Sequence, residues 1–405
     1  MSHEALMHMA RRTLAHTRAG TVPLAEGIVK VPAANYVDPD RYQAELDLIF
    51  RRLPLVAAAS AEFHRPRDYR SIDLAGVPVL MVRGDDGEVR AYLNMCGHRG
   101  AVVVPEGHGS ARRFTCPYHA WTYDAAGCLV GVLDREEFGP LDVASHGLRA
   151  LPVAERAGLV FVVPDPASGL EIGAFLSGYD QVLDHLGLDR CWFVGQQRVA
   201  GPNWKVAYDG YLDFYHLPVL HKDTFGTELS NQAIYDAWGP HQRVSSPDER
   251  LLRFDTLPDH DWPLAALTAG VWTVFPQTSI AGFPVKASDG SATWLYMIST
   301  LHPGADVASS TTQQTFLSTV EPTPALQAAI EAQMRFLLGV VRDEDYATGL
   351  RIQQALSTGL RRNVLFGRNE AGGQRFHRWV DRLLAAADGA SLAELFASSE
   401  VVHQP

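Results

Sequence analysis

The spacing of apolar residues changes along the chain, and the changes divide it. Residues 1 to about 40 read as a helical arm followed by an extended, Pro-containing piece. The stretch Y-V-D-P-D-R-Y-Q-A-E-L-D-L-I-F-R-R then predicts a short helix. Asp38 or Asp40 is placed to cap it, and Tyr42, Leu46, Ile49 and Phe50 lie along one side. From about 55 to 165 the period shortens to that of strands. V-P-V-L-M-V-R and V-R-A-Y-L-N-M flank G-D-D-G, which predicts a hairpin turning at Gly84 to Gly87. R-F-T-C-P-Y-H-A-W-T-Y, D-A-A-G and C-L-V-G-V repeat that design. P-D-P at 164–166 reads as a boundary.

Beyond it the pattern is mixed. Helices are expected around 171–187 and 204–217, and strands around 250–256, 271–283, 292–302 and 311–320. Thr323-Pro324 opens a long helix, with Thr as cap and Pro at the first helical position. A last amphipathic helix, about 372–387, carries Phe376, Trp379, Val380, Leu383 and Leu384. There is no internal repeat.

Composition narrows the class. A chain of 405 residues has room for two or three domains. Its ordinary apolar content and moderate charge are those of a folded globular protein. A net charge of −11 argues against nucleic acid or an anionic membrane as partner. No apolar run approaches a bilayer span. The first residues, M-S-H-E-A-L-M-H-M-A-R-R, are polar where a signal peptide needs an apolar core, so a cytoplasmic protein is expected. The four cysteines are too few for a disulfide scaffold. Cys128 and Cys191 have no histidine nearby and read as incidental thiols.

The other two cysteines do have histidines nearby. Cys96-Gly-His98 and Cys116-Pro-Tyr-His119 are two short loops beside predicted strand ends, each offering one thiolate and one imidazole. Such a donor set suits zinc or a [2Fe–2S] cluster. Zinc sites usually pair Cys with Cys and His with His at short spacing. Here Cys and His alternate, which is the Rieske arrangement.

A second constellation lies in N-W-K-V-A-Y-D-G-Y-L-D-F-Y-H-L-P-V-L-H, Asn203 to His221. Asp213 and His216 are three apart and would share a helix face. His216 and His221 are five apart, about 140° round an ideal helix. Both reach one ion only if the helix ends or distorts between them, and Pro218 is placed to break it. The plain rival is a polar helix end with no metal.

Taken together, C-G-H-R-G and C-P-Y-H-A-W-T-Y-D-A-A-G resemble the Rieske domain of the ring-hydroxylating oxygenases, α subunit. N-W-K…D-x-Y-H-x-x-x-x-H resembles that family's mononuclear-iron segment, and G-R-N-E…F-H-R-W its C-terminal segment. The likeness runs from about 40 to 385 in the family's order. It implies an α+β fold: an all-β Rieske [2Fe–2S] domain (41–165) inserted in a catalytic domain of antiparallel sheet flanked by helices, of helix-grip type. The arm 1–40 would belong to the catalytic domain, with its main part at 166–405.

The resemblance also implies the site. Cys96, His98, Cys116 and His119 would hold the cluster. His216, His221 and a distant acid would hold Fe(II), with positions left open for O2. On the long helix Met334, Leu338, Val341, Asp345, Ile352 and Leu356 fall within about 40° of one line at 100° per residue, which singles out Asp345. Asp343 points away and Glu344 lies on the flank. The family's acid-Asp pair followed by Gln353 selects the same residue. Asp213 would then link His216 to the Rieske ligand His119 of the next subunit, as the acid between the two redox sites.

Several departures are expected to matter. Gly210 stands where many relatives carry Asn, Ala120 where Gly is usual, and Leu350 where Glu is frequent. Asp209, Phe214, Leu217, Phe225, Phe275 and Phe283 are the candidates for the substrate pocket. The reading is a terminal oxygenase that takes electrons from an NAD(P)H-dependent reductase, with or without a ferredoxin. It would mono- or dihydroxylate an aromatic or other hydrophobic molecule. The alternatives are a monooxygenase of quaternary ammonium or amine substrates, with Asp209 meeting the cation, and a Rieske electron carrier. A homotrimer is expected, with α3β3 as its alternative. There is no G-x-G-x-x-G with a suitable acid, so no nicotinamide or flavin site is expected in this chain.

Overall fold

A computed structural model describes residues 2–226, 229–386, 389–397 and 401–403. Its largest element is an eight-stranded antiparallel sheet. The strand order is Trp192–Gly201, Ser310–Ser318, Ala292–Pro303, Thr278–Lys286, Val271–Val274, His241–Ser245, Ile234–Trp238 and Val401–His403. The helix Pro324–Val340 packs on its first, third and fourth strands, and the short helix Trp204–Asp209 on Ala292–Pro303. Smaller antiparallel sheets hold the hairpins of residues 68–93 and 113–131. The predicted turn at Gly84 to Gly87 closes the first hairpin, with Gly87 at φ 87.

The N-terminal residues return to the far end of the chain. Strand Val29–Pro32 pairs antiparallel with Asn363–Phe366. Asp38 caps the helix Pro39–Glu45, accepting from the amides of Asp40 and Arg41. That helix delivers Glu45 into the core, where it is fully buried. Its carboxylate accepts from Trp204 Nε1 at 2.9 Å and Arg41 Nε at 3.1 Å and pairs with Lys205 Nζ. A buried charge is tolerable only when paired in this way. The network fixes the start of the segment that carries His216 and His221, and Trp204 is wedged edge-on between Phe50 and Phe376.

Several expected elements take another form. The helix 204–217 stops at Asp209. Pro218 lies in the first turn of a new short helix, Leu217–Leu220, so it starts a helix rather than breaking one. The helix 171–187 is split into Ile172–Leu176 and Tyr179–Leu183 by Ser177 and Gly178, both left-handed. The strand at 250–256 is instead a 3-10 helix, Glu249–Phe254, whose cap Asp248 accepts from Arg250 N. The strand 271–283 is two strands that fold back on each other, Val271–Val274 and Thr278–Lys286. Thr323 caps the long helix through Leu326 N as expected. That helix does not run straight on, because Val341–Tyr346 forms a π-turn before Ala347–Leu356. The inserted phase shift leaves Ile352 44% exposed, off the apolar line drawn through it.

Candidate active site

The two Cys/His loops are built alike. In the first, Gly100 N donates back to Cys96 O at 2.9 Å. In the second, Ala120 N donates to Cys116 O at 3.1 Å. Each turn closes on a left-handed residue, Gly100 at φ 76 and Ala120 at φ 56. Ala120 thus occupies a position whose backbone favours glycine. Cys96 and Cys116 are buried. The His98 and His119 rings lie 4.7 Å apart, and His98 stacks on Trp121 at 5.0 Å. His98 Nδ1 is buried without a hydrogen-bond partner, as expected of a nitrogen kept for a metal. Tyr123 takes a hydrogen bond from Gly97 N at 2.9 Å and holds its hydroxyl 3.2 Å from Cys96 Sγ. Burial first, and then the Cys96 contact, push the Tyr123 pKa up, so the hydroxyl stays protonated to donate to sulfur. Two buried thiols, two imidazoles and an orphaned ring nitrogen fit a [2Fe–2S] cluster with two His on one iron.

The second cluster of donors sits where the chain breaks between its two short helices. His216, His221 and Asp345 offer ligand atoms within 4.8 Å of one another. His221 Nε2 lies 3.3 Å and His216 Nε2 3.7 Å from the same oxygen, Asp345 Oδ1. Their other nitrogens are taken by acids: His216 Nδ1 lies 3.1 Å from Asp213 Oδ1, and His221 Nδ1 2.5 Å from Glu344 Oε2. Asp213 Oδ1 also accepts from His216 N at 3.1 Å. Thr224 Oγ1 donates to the second oxygen of Glu344. A ring whose Nδ1–H is held by a carboxylate presents a bare Nε2 to a metal. Burial lowers the His221 pKa, but the hydrogen bonds its ring gives to Asp345 and Glu344, with their negative charge, outweigh it and raise the group above its ordinary value. Two imidazoles and one carboxylate converging on one point suit a non-haem ferrous ion.

This point opens on a cavity of about 370 Å³, the size of a small-molecule site. Its walls include Phe214, Leu217, Phe225, Phe283, Met297 and Leu337, with Gly210, His216, His221 and Asp345. Two expected pocket residues are elsewhere. Asp209 is absent from the lining: Tyr36 Oη donates to its Oδ2 at 2.8 Å, and His377 Nε2 lies 3.0 Å from its Oδ1. Phe275 is 2% exposed and packs on Phe376 in the core. The departure at Leu350 is a half-exposed helix position. The sequence reading missed Glu344 as a support for His221. It also missed the Tyr36–Asp209–His377 cluster, whose only trace in sequence was the F-H-R-W motif.

Comparison with known proteins identifies the two parts of the chain. A family model described as the ring hydroxylating alpha subunit (catalytic domain) matches residues 188–386. A second, the Rieske [2Fe-2S] domain, matches 54–141. The chain is 26% identical over 381 residues to the carnitine monooxygenase oxygenase subunit of Escherichia coli (strain K12), covering 90% of each. It is 35% identical over 187 residues to chlorobenzene dioxygenase subunit alpha of Cupriavidus sp. (strain PS12), covering 45% of this chain and 42% of that one. The structure of naphthalene 1,2-dioxygenase from Rhodococcus sp. with indole superposes with a TM-score of 0.72 at 21% identity, covering 96% and 100% of the two chains. The apo form of a quaternary ammonium Rieske monooxygenase gives 0.70 at 21%, covering 88% and 96%. These two structures share the fold.

The chain belongs to the Rieske-type ring-hydroxylating oxygenases, as an α subunit. It is an oxidoreductase of the kind that incorporates O2, built around a [2Fe–2S] cluster and a mononuclear non-haem iron. No helix among the described residues is long and apolar enough to cross a membrane.

Proposed function

We propose that residues 41–165 carry the cluster and that 1–40 and 166–405 form the oxygenase proper, which hydroxylates a hydrophobic small molecule. Cys96, His98, Cys116 and His119 would hold the cluster, and His216, His221 and Asp345 the ferrous ion. The iron in such a site supplies O2 activation, driven by electrons that an NAD(P)H-dependent reductase delivers through the cluster. The chain's own residues do the rest. Glu344 and Asp213 fix the two imidazoles with Nε2 inward. The apolar walls orient the substrate and exclude water. Asp213, still partly exposed, would meet His119 of the partner subunit in a ring of three.

The observation that carries this reading is the convergence of three ligand atoms on the edge of an apolar cavity. An electron carrier needs neither. The amine reading has the carnitine monooxygenase likeness in its favour, along most of the chain. It loses the acid it relied on, because Asp209 is committed to Tyr36 and His377. The cavity's remaining acids are Asp213 and Asp345, both engaged with the iron histidines. An apolar or aromatic body therefore fits better than a cation. The test is to supply the purified protein with an NADH-dependent reductase, isotopically labelled O2 and a set of small arenes and quaternary amines. Label in hydroxylated arenes is expected; label appearing only in amine products would overturn the preference.

A further inference from the structure

A second cavity adjoins the one above the iron residues. It holds about 250 Å³ and lies beneath the N-terminal helix and the 246–270 connection. The two share Phe214, Leu217, Leu229 and Val271 in their linings, so the partition between them is a single layer of side chains. Across that layer the chemistry changes. The first cavity is mainly apolar, its polar lining being His216, His221, Asp345, Asp213, Ser279 and two tyrosines. The second is lined by serines, Arg243, Arg250 and Asp248.

Ser245 distinguishes this second cavity from an ordinary polar crevice. It is 5% exposed, and its Oγ is buried with no hydrogen-bond partner. A buried hydroxyl left unsatisfied is costly, and such groups are rare without a reason. The neighbouring charges are already matched. Arg243 Nε donates to Ala269 O at 2.9 Å, with Asp236 4.0 Å from its Nη1. Arg250 is held by both oxygens of Asp248, but its side chain is 79% exposed and can turn. Arg243 is thus matched by Asp236, Arg250 can turn from Asp248 toward the cavity, and Ser245 keeps one free buried hydroxyl.

We propose that this cavity is a subsite for the carboxylate end of the substrate. The substrate class is then a small apolar or aromatic body, oxidised beside His216 and His221, joined to a terminal carboxylate. That carboxylate accepts from Ser245 Oγ and is neutralised by Arg250. This rests on the first cavity being where the substrate is oxidised. It names Ser245 and Arg250 as the residues that set specificity.

The test is equilibrium dialysis of phenylbutyrate and of butylbenzene against the full iron-loaded protein, wild type, Ser245→Ala and Ser245→Thr. Phenylbutyrate should bind about tenfold more tightly than butylbenzene, the effect of a hydrogen bond to a charged group. Ser245→Ala should remove most of that advantage and leave butylbenzene unchanged. Ser245→Thr, which keeps the hydroxyl, should restore it. Equal binding of the two probes, no binding of either, or an equal loss for both in Ser245→Ala would overturn the proposal. Binding needs no electrons, so the oxygenase reading fails separately: probes that bind as expected while no product forms with reductase and O2 would leave the subsite standing.

Discussion

Glu344 Oε2 lies 2.5 Å from His221 Nδ1, while the next residue, Asp345, places an oxygen 3.3 Å from Nε2 of the same ring. Consecutive acids on a regular helix point about 100° apart. The π-turn Val341–Tyr346 widens the helix there and lets both carboxylates address one imidazole. One acid holds the ring at Nδ1, and the other faces its Nε2 together with His216.

Glu344→Gln should therefore keep the fold and the cluster but loosen the mononuclear iron. Loss of such a supporting carboxylate typically costs about 10–100-fold in metal affinity. Dialysis against a chelator, with iron measured over time, checks this. Retention equal to wild type would show that Glu344 has no part in holding the ring.

Asp213→Asn should keep the cluster but, because Asp213 holds His216 as Glu344 holds His221, loosen the mononuclear iron similarly, so the variant is assayed after reloading with Fe(II). Transfer between cluster and mononuclear iron should slow severely. Single-turnover reoxidation of the reduced cluster by O2 in the presence of substrate measures this step. A rate within a factor of about two of wild type would remove Asp213 from the electron path.

Tyr123→Phe removes the hydroxyl 3.2 Å from Cys96 Sγ. A hydrogen bond to a cluster sulfur favours the reduced state. The cluster potential should fall by roughly 20–65 mV, the equivalent of a net hydrogen bond for one electron. Protein-film voltammetry reads it directly, and a rise would contradict the assignment.

Two stability changes follow from the backbone and the core. Ala120→Gly relieves a left-handed alanine and should stabilise the protein by about 1 kcal/mol. Glu45→Ala leaves Lys205 buried without its partner and should cost about 3–5 kcal/mol. Urea denaturation followed by cluster absorbance and by fluorescence separates the two.

Much of the site was legible because its chemistry is local. The Cys/His loops, the Asp213–His216–His221 spacing and the Thr323 cap each depend on residues a few positions apart. What was missed depends on distant partners or on phase. Strands Trp192–Gly201, Ile234–Trp238 and His241–Ser245 gave no clear alternation. In the last two every residue is buried, and several polar ones find partners far along the chain: Asp236 in Arg12, His241 in Phe175 O, Gln242 in Gly372 O. Glu344 was put on a flank because a uniform 100° step cannot show a π-turn. Asp345 was still found, since the turn begins only four residues before it. Asp209 read as a pocket acid because Tyr36 and His377 are distant in sequence.

The most direct test is iron and acid-labile sulfide per chain, with the visible spectrum, for wild type and Asp345→Ala. A [2Fe–2S] cluster contributes equal iron and sulfide, so any excess iron is mononuclear. The account predicts that excess in wild type and its loss in Asp345→Ala with the cluster spectrum intact. Iron equal to sulfide in both proteins, even after Fe(II) is added back, would contradict it.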